Sequence, residues 1–138
     1  MQNIVLDTNV LIMSISSKSE YHNIWQSFLK GEFILCVSNE ILEEYMEVIS
    51  RNINENVAQY IIYTILERKN VRQIETYFHF NLIEADPDDN KFVDCAITAN
   101  ARYIVTQDKQ FNILKTIDFP KVDINDIKGF LLELSNMQ

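Results

Sequence analysis

Ile4-Val5-Leu6 is an unbroken apolar run of strand length that begins almost at the first residue and ends on an acid, Asp7. Two further strand-like stretches follow, Phe33-Ile34-Leu35-Cys36-Val37 and Arg102-Tyr103-Ile104-Val105-Thr106, the second running on to Asp108. Strands without polar alternation are covered on both faces, which is the habit of parallel sheets in α/β proteins. Open α/β sheets place ligands in the crevice beyond the carboxyl ends of their strands, so Asp7 and Asp108 are expected at one functional edge.

The segments between the strands carry helical periods. From Ser19, the residues Tyr21, Ile24, Trp25, Phe28 and Leu29 recur at helical spacing, with Ser19 placed to cap this first helix and Gly31 to stop it. Strand, helix and strand in that order imply a parallel pair joined by a right-handed crossover. Ser38 can cap the helix from Asn39 to about Arg51, whose apolar stripe is Ile41, Leu42, Tyr45, Met46, Val48 and Ile49. A further helix is expected from Asn54 to Lys69. Residues 71–83 fit neither period and are expected to be extended or loop. Asp86-Pro87 starts another helix, Asp as N-cap and Pro at the first helical position, which runs to about Ala101. A short helical turn is expected around Phe111 to Leu114, an edge strand over Val122 to Ile124, and a closing helix from Ile127 to Leu134 capped by Asn125, with the last residues frayed. The fold class expected is α/β, a single-domain three-layer sandwich with a parallel central sheet flanked by helices.

The helix phases select among the acids. At about 100° per residue, Glu40, Glu43 and Glu47 fall well outside the stripe of the Asn39 helix, and Glu44 lies roughly 40° from its edge. In the helix that starts at Asp86-Pro87, the stripe is Phe92, Val93, Cys95, Ala96, Ile97 and Ala99. Asp89 falls near its middle, Asp88 at its margin and Asp94 roughly 60° beyond it. Asp88 reads as an acid that complements the helix dipole, whereas the inward phase of Asp89 points it toward the strand ends.

Charge and composition narrow the chemistry. At 138 residues the chain is long enough for one domain with a true core. No apolar run is long enough for a membrane span, and residues 1–7 lack the length and basic flank of a signal peptide, so a cytosolic protein is expected. Cys36 and Cys95 lack the close pairing of zinc sites and read as buried reduced thiols. The two glycines, Gly31 and Gly129, cannot build a phosphate-cradling loop or a dinucleotide fingerprint. His22 and His79 have no nucleophile motif beside them. Arg51, Arg68, Lys69 and Arg72 read as helix-ending cations that could also meet RNA phosphates. The formal net charge of −8 opposes nonspecific attraction to nucleic acid, so a polyanionic substrate needs bridging cations. Four inward acids, Asp7, Glu44, Asp89 and Asp108, with no evident basic partner, form the kind of hard oxygen cluster that suits Mg²⁺ or Mn²⁺ and phosphodiester hydrolysis.

Four motifs in order then carry a resemblance: Asp7-Thr8-Asn9 after the first strand, Ser38 through Glu44-Tyr45 after the second, Asp86 through Ala96, and Ile104-Val105-Thr106-Gln107-Asp108-Lys109. Together, from Ile4 to about Leu132, they resemble the PIN domain ribonucleases, most of all the bacterial branch of toxin-like proteins from toxin and antitoxin pairs. The resemblance implies one PIN-like nuclease domain over residues 1–138. It implies that Asp7, Glu44, Asp89 and Asp108 ligate Mg²⁺ or Mn²⁺ for endoribonuclease activity on RNA, with Asn9 and Thr106 holding the acids in place. Asp94 is a further candidate metal ligand, since the third ligand could be Asp89, Asp94 or both. The partners implied are an RNA substrate and an antitoxin protein. A homodimer through the Tyr21, Trp25 and Phe28 stripe is also expected, the alternative being that this stripe is wholly core. Two other functions compete. One is an inactive PIN-like module that binds RNA or a partner, and the other is a Mg²⁺-binding phosphoacceptor receiver domain, which would want paired acids after the first strand where Asp7 stands alone.

Overall fold

The structure is a computed structural model that describes residues 1–137. Five parallel strands form one sheet: β1 (Asn3–Leu6), β2 (Ile34–Val37), β3 (Val71–Gln73), β4 (Tyr103–Val105) and β5 (Ile124–Asn125). Their order is β3-β2-β1-β4-β5, with Ile4 paired to Leu35 on one side and to Tyr103 on the other. The chain therefore builds outward from β1 to β3, then returns to lay β4 on the free side of β1. The reversal opens a crevice between the carboxyl ends of β1 and β4, the topological switch point where open sheets hold ligands.

Among the described residues, six α-helices flank the sheet: α1 (Thr8–Ile15), α2 (His22–Leu29), α3 (Asn39–Asn52), α4 (Glu55–Glu67), α5 (Asn90–Ala99) and α6 (Ile127–Asn136). The parallel sheet between helices is the architecture expected from the unbroken apolar runs. Ile4, Val5, Leu35, Cys36, Val37, Ile104 and Val105 are buried, as strands covered on both faces must be. An aromatic train then joins α2 to the sheet and to α6. Trp25 meets Phe28 at 5.2 Å between ring centroids, and Phe33 meets Phe130 edge-on at 5.1 Å. Trp25 and Phe28 are thus spent in the core, so the stripe expected to pair two copies is not a free surface.

Several local expectations are corrected. α1 is a helix that the sequence pattern does not announce: Val10-Leu11-Ile12-Met13 is an apolar block without a polar face, so no helical period shows in it. It starts because Asp7 caps it, the carboxylate accepting from the N–H of Thr8 at 2.8 Å. α2 begins only at His22, and Ser19 forms a turn ahead of it by accepting from the Tyr21 N–H at 3.0 Å. Gly31 does end α2, with φ of +78°. Asp86-Pro87 opens a 3-10 turn, Pro87–Asp89, that leads into α5, and α5 stops at Ala99 because Asn100 turns left-handed. Arg72 lies in β3 and ends no helix. β5 covers Ile124–Asn125 where Val122 to Ile124 was expected, and Asp126, not Asn125, caps α6 through the Gly129 N–H at 2.7 Å. α6 runs to Asn136, beyond the expected Leu134, and the expected fraying at Gln138 lies outside the described residues. Among the described residues no helix is long and apolar enough to cross a membrane.

Candidate metal centre

Asp7 leaves β1 and enters the switch-point crevice fully committed to its neighbours. It is buried, its Oδ1 accepts from the Thr8 N–H, and its Oδ2 accepts from the Thr106 hydroxyl at 2.8 Å. Thr106 sits just past β4, and its oxygen also accepts from the Asp108 N–H at 3.0 Å. One threonine therefore fixes the ends of both strands. Burial raises the Asp7 carboxyl to about 6; the hydrogen bonds from Thr106 and Thr8 pull it down, and the nearby Glu44 and Asp108 push it up again.

Glu44 comes from α3, and its neighbour Tyr45 explains the placement. The Tyr45 side chain is buried and its hydroxyl donates to the Leu6 carbonyl at 2.6 Å, pinning this helix face to the last residue of β1. Glu44 consequently lies half-buried at the strand ends, while Glu40, Glu43 and Glu47 are exposed, as the phases predicted. Its Oε2 accepts from the Thr8 hydroxyl and its Oε1 from Lys91 Nζ at 2.9 Å. The expectation that the acids lack a basic partner is thus corrected for Glu44. The lysine comes from α5, 47 positions away in sequence, so no local pattern announces the pair. Burial disfavours the Lys91 charge, but the Glu44 hydrogen bond and the fields of Glu44, Asp88 and Glu40 outweigh it, so its pKa is raised.

The remaining acids arrive on the turn before α5. Asn90 clasps the backbone of Ile83 from both sides, accepting from its N–H and donating to its carbonyl at 2.9 Å each, which fixes the start of α5 beneath the crevice. Asp86, Asp89 and Asp108 each offer a carboxylate oxygen, all within 4.8 Å of one another. The buried Oδ2 of Asp89 has no hydrogen-bond partner. Among the described residues, no lysine or arginine pairs with Asp7, Asp86, Asp89 or Asp108. Burial raises Asp89 to about 8, and Asp86, Asp108 and Asp7 add to the shift. Crowded hard oxygens, one of them an orphan, fit a divalent cation such as Mg²⁺ or Mn²⁺.

The structure brings Asp7, Glu44, Asp89 and Asp108 to one edge and adds Asp86, which the sequence offered only as a helix cap. Its place in the cluster shows only once this turn is folded against Asp108. Asp94 is placed elsewhere. It is buried because residues 79–80 cover it: its Oδ1 accepts from the Phe80 N–H at 3.1 Å and its Oδ2 lies 3.3 Å from His79 Nδ1. Asn9 is exposed in α1 with no side-chain hydrogen bond to the acids; Thr8, unforeseen, does that work beside Thr106. Asp88 is exposed, as expected. His22 meets the Ser14 carbonyl at 2.9 Å, and Cys36 and Cys95 are buried free thiols that burial pushes up to about 11 and about 12.

The fold recurs in known proteins. VapBC2 from Rickettsia felis bound to a DNA fragment from its promoter superposes with a TM-score of 0.62 at 17% identity, over 90% of this chain and 98% of that one. DNA-bound VapBC from Salmonella typhimurium gives 0.59 at 19% identity, over 92% and 99% of the two chains. Mycobacterium tuberculosis VapC20, a toxin that cleaves the sarcin-ricin loop, gives 0.58 at 15% identity, over 79% and 92%. At these identities the likeness is one of fold. Curated proteins give no match. The sequence model of the PIN domain matches residues 3–110, from β1 through the Asp108 turn, and on that match this chain belongs to the PIN domain family.

Proposed function

We propose that this chain is a divalent-metal-dependent endoribonuclease that hydrolyses RNA phosphodiester bonds, working as a single nuclease domain with Mg²⁺ or Mn²⁺, and that it is the toxin of a toxin and antitoxin pair. The observation that carries this reading is the convergence of Asp86, Asp89 and Asp108 within 4.8 Å beside Asp7 at the β1/β4 switch point. A divalent cation bound there would supply Lewis acidity toward a phosphoryl oxygen and would activate water near neutral pH.

The protein groups divide the remaining work. Asp89 and Asp108 offer oxygens to the cation, and Asp7, locked by Thr8 and Thr106, fixes the negative field behind them. Lys109 and Lys115 line the cleft that adjoins Asp108 and offer ammonium groups to the phosphates of a bound strand, which the net charge of −8 would otherwise repel. Two cations beside the acids lower the local repulsion that a polyanion would meet there.

RNA as substrate is supported by the likeness to the sarcin-ricin-loop-cleaving toxin, and an antitoxin partner by the likeness to the two VapBC complexes. An apolar face on α4, with Tyr60, Tyr63 and Leu66 exposed, offers such a partner a surface. The test is cleavage of single-stranded RNA by the purified protein with Mn²⁺. The wild type should cut, and Asp89→Asn should not; cleavage of equal rate by both would refute the assignment.

A further inference from the structure

The 3-10 helix Lys109–Thr116, which follows Asp108, has two unlike faces. Phe111 and Leu114 are buried, with Phe111 edge-on to Phe92 at 6.4 Å between ring centroids. At three residues per turn, Gln110 and Ile113 share a second ridge, and Ile113 is 47% exposed. That ridge faces the chain before Asp86: Leu82, Ile83 and Ala85 on one side and Gln110, Ile113 and Ile117 on the other line a groove of about 440 Å³. Both walls are fixed, one by the Asn90 clasp on Ile83 and the other by the buried Phe111. The groove adjoins the acids, since Ala85 precedes Asp86 and the Gln110 N–H donates to Asp108 Oδ1 at 2.9 Å.

We propose that this groove seats one unpaired nucleobase of a single-stranded RNA, the base next to the phosphate held at the cation centre, and that the Gln110 amide reads its edge. A phosphodiester at Asp89 and Asp108 brings its own nucleosides against the neighbouring walls. Those walls are aliphatic, with one amide able to donate and to accept, which suits a flat ring with a polar edge. Among the described residues, Glu84 is the only ionisable one that lines the groove, so a phosphate is disfavoured there and a neutral base is not. A chain of net charge −8 gains little from a polyanion's phosphates, which leaves the bases to supply affinity and choice of site. Seven residues line the groove, whereas a stable protein interface takes about 20–30 a side, so a second copy or a partner protein is the poorer occupant. The inference rests on reading the chain as a metal-dependent ribonuclease and goes beyond it by naming what selects the cut.

The test uses the full chain with Mn²⁺ and a mixed-sequence single-stranded RNA whose principal cut has been mapped. An abasic residue in place of one of the two nucleotides that flank the cut should lower kcat/KM roughly tenfold or more, and the wild type should show a base preference at that position. Gln110→Ala should shrink the preference roughly fivefold. Ile113→Asp, at an exposed position, should cut intact and abasic RNA at nearly equal rates, while Mn²⁺ raises its Tm as in the wild type. A wild type that cuts both RNAs equally, a base preference unmoved in Gln110→Ala, or an abasic penalty undiminished in Ile113→Asp overturns the inference and leaves the nuclease reading intact. So does light scattering that finds a wild-type dimer which Ile113→Asp breaks, because a second copy then fills the groove. A wild type that cuts no RNA with Mn²⁺ overturns both.

Discussion

The hydroxyl of Thr106 donates to Asp7 Oδ2 at 2.8 Å, tying the residue after β4 to the residue after β1 across 99 positions of sequence. Because the same oxygen accepts from the Asp108 N–H, the crevice between the two strands has a fixed width. Thr106→Val keeps the shape and removes the hydroxyl. It leaves the buried Asp7 carboxylate short of a donor, at a cost of about 1–3 kcal/mol. A lower urea midpoint at unchanged m-value is expected; an unchanged midpoint would mean that the hydrogen bond contributes nothing to holding the strands together.

Stability without metal should fall as pH rises. Asp7 at about 6 and Asp89 at about 8 both lie above the ordinary value of 3.8, so folding favours their protonated forms. The stabilisation is complete below about pH 4 and is lost as each group ionises, through about pH 6 for Asp7 and about pH 8 for Asp89. For the buried Asp7 the shift corresponds to about 3 kcal/mol as an upper bound. Thermal scans in EDTA should show Tm rising from pH 8.5 down to pH 5, and Asp7→Asn should flatten the part near pH 6. A wild-type Tm that is level or falls over this range would contradict the placement of these acids.

Within α3, one glutamate should matter. Glu44→Gln loses the partner of Lys91 and should abolish Mn²⁺-dependent cleavage of single-stranded RNA, whereas Glu43→Gln and Glu47→Gln, both exposed, should stay within a few fold. Equal rates in all three variants would make α3 only a solvated acidic face.

Asp94 should prove structural. Asp94→Ala removes the acceptor for the Phe80 N–H and the contact with His79, and should lower stability by about 1–3 kcal/mol. Its Mn²⁺ affinity should stay within about threefold of wild type. A loss of metal binding as deep as that of Asp89→Asn would return Asp94 to the ligand set.

What the sequence disclosed and what it hid follow from the range of the physics involved. Strand burial and helix phase are local periodicities, so the sheet, Asp7, Glu44 and the inward Asp89 could be read directly. Lys91 and Asp86 could not. The lysine pairs with a residue 47 positions away, and Asp86 looks like any helix cap until its turn is folded against Asp108. α1 was hidden for another reason: a helix start is legible when polar and apolar residues alternate at its period, and Val10 to Met13 do not alternate. Asp94 shows the limit of phase arguments. Its azimuth lay outside the stripe, and the loop that buries it has no period to announce it.

The most direct test of the central claim, that these acids form a cation site, is thermal denaturation of wild type and Asp89→Asn across a Mn²⁺ titration. A cation that binds only the folded chain should raise the wild-type Tm steadily once its concentration exceeds the dissociation constant. Asp89→Asn, which removes the orphaned oxygen's charge, should respond weakly or not at all. A wild-type Tm indifferent to Mn²⁺, or an equal rise in the variant, would contradict the account.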